Sequence, residues 1–205
     1  MRRIIATTFI SLDGVMQAPG GPNEDDEGGF AFGGWTFPHF DEQLGEVLGG
    51  VFGKPFDLLL GRKTYDIFAA HWPKAGEHDP EMTELFNRVN KHVATSGDQP
   101  LDWVNSASLG PDVVAALRTL KQGEGPDLLI QGSSDLIQTL LTESLIDEFT
   151  LLIFPVVLGA GKRLFGSGTV PMAMKLVSSR TFPTGVIAAT YVPEGEVRTG
   201  SFALD

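Results

Sequence analysis

Apolar residues gather in short unbroken runs at residues 4–10, 56–60, 128–130 and 149–158, each closed off by Gly, Pro or charged residues. A strand buried on both faces has no polar side to show, so it reads as such a run and not as an alternation. Residues 91–95 read as a further strand. Between these runs, apolar residues recur at helical spacing over 41–48, 64–68, 80–89, 111–120 and 133–141. Strands alternating with helices predict an α/β fold, a largely parallel sheet with helices on both faces. After Gly168 the pattern changes. Residues 175–181 and 185–191 are strand-like with only Phe182-Pro183-Thr184 between them, which predicts an antiparallel hairpin.

Residues 19–34 interrupt the pattern with a Gly-rich stretch whose centre, Glu24-Asp25-Asp26-Glu27, is acidic. A connection of that length inside a compact domain is either a functional lid or disordered. Its glycines and its charge oppose fixed local structure, so the expectation is a lid that is mobile until ligand arrives. Without repeats or low-complexity tracts, the 205 residues are expected to form a single domain, 1–205. The apolar run after Met1-Arg2-Arg3 has the outline of a signal peptide. It is too short, however, and meets Ser11-Leu12-Asp13-Gly14 where a small-residue cleavage site belongs.

Composition narrows the chemistry. The chain contains no cysteine, which removes disulfides, thiolate metal sites and a cysteine nucleophile, and fits a cytoplasmic protein. The net charge of −11, from 26 acids and 15 bases with no basic cluster, argues against nucleic acid as a partner. No apolar run is long enough to span a membrane. A negative field repels anionic ligands at long range, so any phosphate site must be a local pocket of Arg, Lys and backbone N–H groups. His39, His71, His78 and His92 lack metal-ligand spacing, so no metal is expected. No G-x-S-x-G elbow supports a serine hydrolase.

Leu58-Leu59-Leu60-Gly61-Arg62-Lys63-Thr64-Tyr65 is a buried strand ending in Gly, followed by basic and hydroxyl residues that open a helix. First-turn N–H groups, a guanidinium and a hydroxyl suit an incoming phosphate. An ordinary helix start with solvated charges fits the same residues. Leu129-Ile130-Gln131-Gly132-Ser133-Ser134-Asp135-Leu136 repeats the arrangement, with simple helix capping as the alternative. Two such turns at the carboxyl ends of strands carry more weight together, because open α/β sheets bind ligands there. Gly159-Ala160-Gly161-Lys162-Arg163 reads as a third close-approach loop or as a plain glycine turn.

Taken in order, these elements resemble the dihydrofolate-reductase-like superfamily, and more closely the reductase domain of the riboflavin-biosynthesis deaminase-reductase and its stand-alone relatives. The resemblance runs nearly end to end, through Ile5-Ala6-Thr7-Thr8-Phe9-Ile10-Ser11-Leu12-Asp13-Gly14, Leu60-Gly61-Arg62-Lys63-Thr64-Tyr65, Lys91-His92-Val93-Ala94-Thr95-Ser96 and Gln131-Gly132-Ser133-Ser134. Its most specific part is Leu145-Ile146-Asp147-Glu148 followed by Phe154-Pro155-Val156-Val157-Leu158-Gly159-Ala160-Gly161-Lys162-Arg163-Leu164-Phe165.

The resemblance implies a three-layer α/β/α fold, a homodimer, and an NADPH-dependent reductase of a small pyrimidine- or pterin-like substrate, similar to 5-amino-6-(5-phosphoribosylamino)uracil reductase. It implies cofactor contacts from Thr7, Gly14, Gly61, Arg62, Lys63, Thr64, Thr95, Ser96, Gly132, Ser133, Ser134 and Leu136, with Arg62, Lys63 and Ser96 at the 2′-phosphate. Trp35, Pro155, Gly159 and Gly161 are implied at the substrate, and Asp13 and Asp41 as the carboxylates of the reaction, Asp13 the more important. Two departures keep other readings open. Dihydrofolate reductase itself carries paired glycines where this chain has Gly132-Ser133. Its acid follows the Trp-x-x-Pro stretch one position away from Asp41 in Trp35-Thr36-Phe37-Pro38-His39-Phe40-Asp41. A folate reductase and a non-catalytic ligand-binding protein with a degenerate cofactor site are the alternatives.

Overall fold

The computed structural model describes residues 1–203. Strands β1 (Ile4–Ser11), β2 (Phe56–Gly61), β3 (Lys91–Ala94), β4 (Ser106–Ser108), β5 (Asp127–Ile130), β6 (Glu148–Phe154), β7 (Met174–Thr181) and β8 (Ile187–Pro193) form one sheet in the order β4-β3-β2-β5-β1-β6-β8-β7. Every pairing from β4 to β6 is parallel, and β8 runs antiparallel to both β6 and β7. Helices α1 (Glu42–Phe52), α2 (Arg62–His71), α3 (Pro80–Arg88), α4 (Val113–Gln122) and α5 (Ser134–Thr142) cover it.

Strand alternation assigns the layers. Along β1, Ile4, Ala6 and Ile10 join a core with Leu117 of α4 and Leu136, Ile137, Leu140 and Leu141 of α5. Side chains one residue on point the other way, and Ile5 and Phe9 pack with residues of α1, α2 and α3. The fold is thus three-layered α/β/α, as the sequence predicts. On the α1–α3 face the apolar material forms two separate clusters, one around Phe154 and Trp35, the other around Phe86 and Trp103. Thr7 lies on β1 between Ile5 of the second and Phe9 of the first, so a polar position marks the seam between them.

Several boundaries differ from expectation. The run 149–158 ends as a strand at Phe154, because Pro155 has no N–H for the ladder and Val156-Val157-Leu158 belongs to the following loop. The strand expected over 185–191 begins at Ile187, Gly185 being in the turn at φ +86. β4 is three residues of small polar character and offers no apolar run to detect. Helix α1 continues to Phe52, where Val51 and Phe52 reach the second cluster.

Candidate functional site

The carboxyl ends of β1, β2, β3, β5 and β6 share one edge of the sheet, since those strands are parallel. The turns singled out by sequence leave from that edge. Helix α2 starts directly after β2 with Gly61 as N-cap and no side-chain cap, so the first-turn N–H groups of Arg62, Lys63 and Thr64 have no capping side chain. Helix α5 starts after β5 with Ser133 as N-cap, whose Oγ accepts from Leu136 N at 3.5 Å. β2 and β5 are neighbours, so the positive ends of two helices stand side by side.

Gly61 and Gly132 are glycines because these turns touch each other. A Cβ on Gly61 would lie 2.2 Å from Ser133 Oγ and 3.0 Å from Ser133 N, and one on Gly132 would lie 2.6 Å from Thr64 Oγ1. The Gly61 N–H donates to the Gly132 carbonyl at 3.2 Å. Close backbone approach was expected toward a ligand; it is made toward the neighbouring turn. Thr95 Oγ1 accepts from Gly97 N at 3.3 Å, and Ser96 is exposed beyond it.

Arg62 is held in place before any ligand arrives. Its Nε and one terminal nitrogen engage Asp66 at 3.0 and 2.8 Å, and the other terminal nitrogen donates to the carbonyls of Gln99 at 3.1 Å and Pro100 at 3.4 Å. It also borders an open cleft of about 620 Å³ shared with Tyr65, Asp66, Asn87 and Trp103. Of the residues implied at cofactor or substrate, only Arg62 lines that cleft.

Thr7 is the most telling side chain of the edge. It is 2% exposed, and its Oγ1 has no hydrogen-bond partner among the described residues. A buried hydroxyl left unpaired costs free energy that a ligand polar group or a water can recover.

Asp13 sits in a network of hydrogen bonds between two loops. Its Oδ1 accepts from Ser11 Oγ at 2.6 Å and Leu158 N at 3.1 Å, and its Oδ2 from Gly159 N at 2.9 Å, with Arg163 at 3.4 Å. The Ser11 hydroxyl, helped by those two backbone N–H groups, lowers its pKa from 3.8 to about 2. An acid that strong is ionised at neutral pH and does not donate protons there. Asp13 therefore ties the turn after β1 to the loop after β6. Gly14, at φ +80, completes that turn, and its carbonyl accepts from Leu164 N at 3.0 Å.

The depressed pKa means that this carboxylate stabilises the fold above about pH 4 and loses its effect as pH falls toward 2. Asparagine offers one acceptor oxygen where two are in use. Asp13→Asn is expected to lower unfolding free energy by about 1.5–3 kcal/mol at neutral pH. In thermal melts the gap to the parent protein should narrow as pH drops below about 4. A gap independent of pH would refute this role.

Three of the four residues implied at the substrate, Trp35, Gly161 and Pro155, sit in packing contacts. Trp35 is buried against Phe154, and its indole N–H donates to Gln17 O at 2.8 Å, so no polar edge remains for a substrate. Gly161 faces Val15 and Phe30, with a notional Cβ at 2.7 Å from Val15 Cγ1. Pro155 packs at Gly185, whose notional Cβ would lie 3.2 Å from Pro155 Cγ. Gly159 alone of this group faces open space, at φ +78. Asp41 caps α1, accepting from Leu44 N at 2.8 Å.

The segment expected to be a mobile lid is held by specific bonds. Phe30 and Trp35 are buried, Thr36 Oγ1 donates to Pro19 O at 2.6 Å, and Gly34 N to Ala18 O at 2.8 Å. Gln17 was missed by sequence reasoning. Its amide donates to the carbonyls of Asp25 and Glu27 at 3.2 and 2.9 Å, and its oxygen accepts from Lys162 N at 3.0 Å. Lys63 and Lys162 both pair with Asp25 and Glu27. Burial opposes the charge on Asp25, but bonds from Lys162 and Lys63 outweigh it and hold the pKa below the usual range; the same lysines lower that of Glu27. Lys63 is raised in turn, first by Asp25 and then by Glu27.

Among the described residues, no helix is long and apolar enough to cross a membrane, and no cluster of metal-ligating side chains is present. The family model described as the RibD C-terminal domain matches residues 2–188. The YyaP protein of Bacillus subtilis strain 168 is 30% identical over 193 residues, covering 93% of this chain and 94% of its own. Among solved structures, a pyrimidine reductase-like protein of Corynebacterium diphtheriae superposes with a TM-score of 0.61 at 13% identity, over 95% of this chain and 93% of its own. Dihydrofolate reductase of Enterococcus faecalis, solved with NADP(H), gives 0.55 at 14% identity, over 93% and 96%. At such identities the likeness is one of fold.

Proposed function

The chain belongs to the RibD C-terminal domain family, and from that premise we propose that it is an NADPH-dependent reductase of a small pyrimidine- or pterin-like heterocycle. The observation that carries this reading is the pair of helix N-termini packed side by side at the carboxyl edge, with the unpartnered Thr7 hydroxyl buried on neighbouring β1. Side-by-side helix starts suit a dinucleotide's phosphates, and a buried hydroxyl lacking a partner suits a ring with polar edges.

In this reading the N–H groups of Arg62, Lys63 and Thr64 and the Ser133 and Ser134 turn hold the phosphates, and Arg62 takes the 2′-phosphate. When bound, NADPH would supply a hydride to a polarised C=N or C=O carbon and leave as NADP+, and the nitrogen or oxygen would take its proton from bulk solvent. The protein's part is alignment and electrostatics. Thr7 donates to or accepts from the bound ring, and ionised Asp13 fixes the Leu158–Gly159 backbone beside it. Residues 19–34, held on the β6 side through Lys162 and Gln17, keep water from the hydride path. Asp13 and Asp41, one anionic and the other a helix cap, act here as positioning groups.

Titration with NADPH, read by nicotinamide fluorescence and thermal shift, tests the reading. Stabilisation follows RT ln(1 + [L]/Kd), so about 2.7 kcal/mol is expected at a hundredfold excess over Kd. The absence of any response at millimolar NADPH and NADH would favour the non-catalytic binding protein.

A further inference from the structure

Four charged side chains from three distant segments close a ring at the cofactor edge. Lys63 Nζ lies 2.7 Å from Asp25 Oδ1 and 2.6 Å from Glu27 Oε2; Lys162 Nζ lies 2.8 Å from Asp25 Oδ2 and 2.7 Å from Glu27 Oε2. Each lysine touches both acids and each acid both lysines. Lys63 follows β2 and Lys162 follows β6, and the sheet order places β5 and β1 between those strands. The ring therefore spans the carboxyl ends of the two strands that a dinucleotide would have to cross. Asp25 is only 9% exposed, which strengthens its pairs relative to fully solvated ones.

We propose that this ring is an electrostatic clasp that shuts the cofactor crevice in the free protein, and that a polyanionic dinucleotide opens it by taking Lys63 from Asp25 and Glu27. The inference rests on the NADPH reading for its ligand but on the ion pairs alone for its closure. Lys63 is the second residue of α2, so an anion at that helix start meets an ammonium already matched to the lid's carboxylates. Entry exchanges one set of anions for another, and the lid's grip on Lys63 loosens as the phosphate binds. Lys162, pinned from behind by the Gln17 oxygen on its backbone N–H, keeps its side of the lid attached. The lid stays shut only while both lysines hold it, so losing the Lys162 pairs eases opening as losing the two acids does.

The test compares the full chain with Asp25→Asn/Glu27→Gln and with Lys162→Gln. Without ligand, hydrogen exchange across residues 20–34 should rise by about tenfold in both variants, because local opening follows the strength of the bonds that hold it. In stopped flow, NADPH association should saturate with concentration in the parent protein and become faster and linear in both variants. Lys162→Gln removes a positive charge, so simple attraction of the anion would slow association there; the clasp requires it to quicken. Unchanged exchange, or slower association in Lys162→Gln, overturns the clasp. Faster exchange in both variants with no NADPH binding in any protein supports the ion-pair closure alone and sinks both its opening by a dinucleotide and the reductase reading. Matching circular dichroism spectra confirm that the variants are folded.

Discussion

Replacing Phe154 by alanine is expected to lower unfolding free energy by about 3–5 kcal/mol, the range for deleting a buried aromatic ring whose surroundings cannot collapse. Phe154 is fully buried and meets Phe9 edge-on at 5.6 Å and Trp35 at 5.4 Å, with His39 at 6.2 Å. Those partners come from β1 and from the segment that follows the lid. The loss should therefore show as faster hydrogen exchange over residues 17–40 under conditions where the sheet stays closed. Leu151→Ala is the comparison, a deletion from the opposite face of the same strand that should cost about 2–5 kcal/mol and leave the lid protected. Equal lid exchange in the two variants would show that Phe154 does not carry the lid.

Arg62→Ala should weaken NADPH by roughly 10- to 100-fold and NADH hardly at all, since a charge-assisted contact to the 2′-phosphate is worth about 1.5–3 kcal/mol. Asp66 and the carbonyls of Gln99 and Pro100 keep the guanidinium plane in one orientation, which reduces the entropy lost on binding. The measurement is a pair of fluorescence titrations at fixed ionic strength. A loss shared equally by the two cofactors would put Arg62 on the pyrophosphate instead, and no loss would leave it a helix-surface charge.

The layers, the parallel sheet and its antiparallel close were legible because each rests on local pattern: unbroken apolar runs, helical spacing, a hairpin with no helix inside. The turns of Gly61 and Gly132 were legible as special, but their reason was not. Two glycines seventy-one residues apart face each other's turns, and no local pattern reports that. Asp13 is similar, since its partners Leu158, Gly159 and Arg163 lie about 150 residues downstream. The bonds of residues 19–34 were hidden for the same reason. The segment's composition opposes local order, yet the lysines that fix it come from α2 and from the loop after β6. β4 escaped notice because Ser106-Ala107-Ser108 is a strand only through pairing with Lys91-His92-Val93.

The strand order has a consequence for how the chain is made. β1 leaves the ribosome first, yet its two partners in the sheet are residues 127–130 and 148–154. At about 5–20 residues per second, those partners follow on the order of ten seconds later. During that interval Ile4-Ile5-Ala6 and Phe9-Ile10 have no ladder to join, while β2 and β3 can already pair. Loops this long must close before their contacts give any return, which slows folding and leaves an apolar, β-prone segment open to other chains. Refolding yield should therefore fall with protein concentration, and a chaperone that shields an extended apolar peptide should restore it.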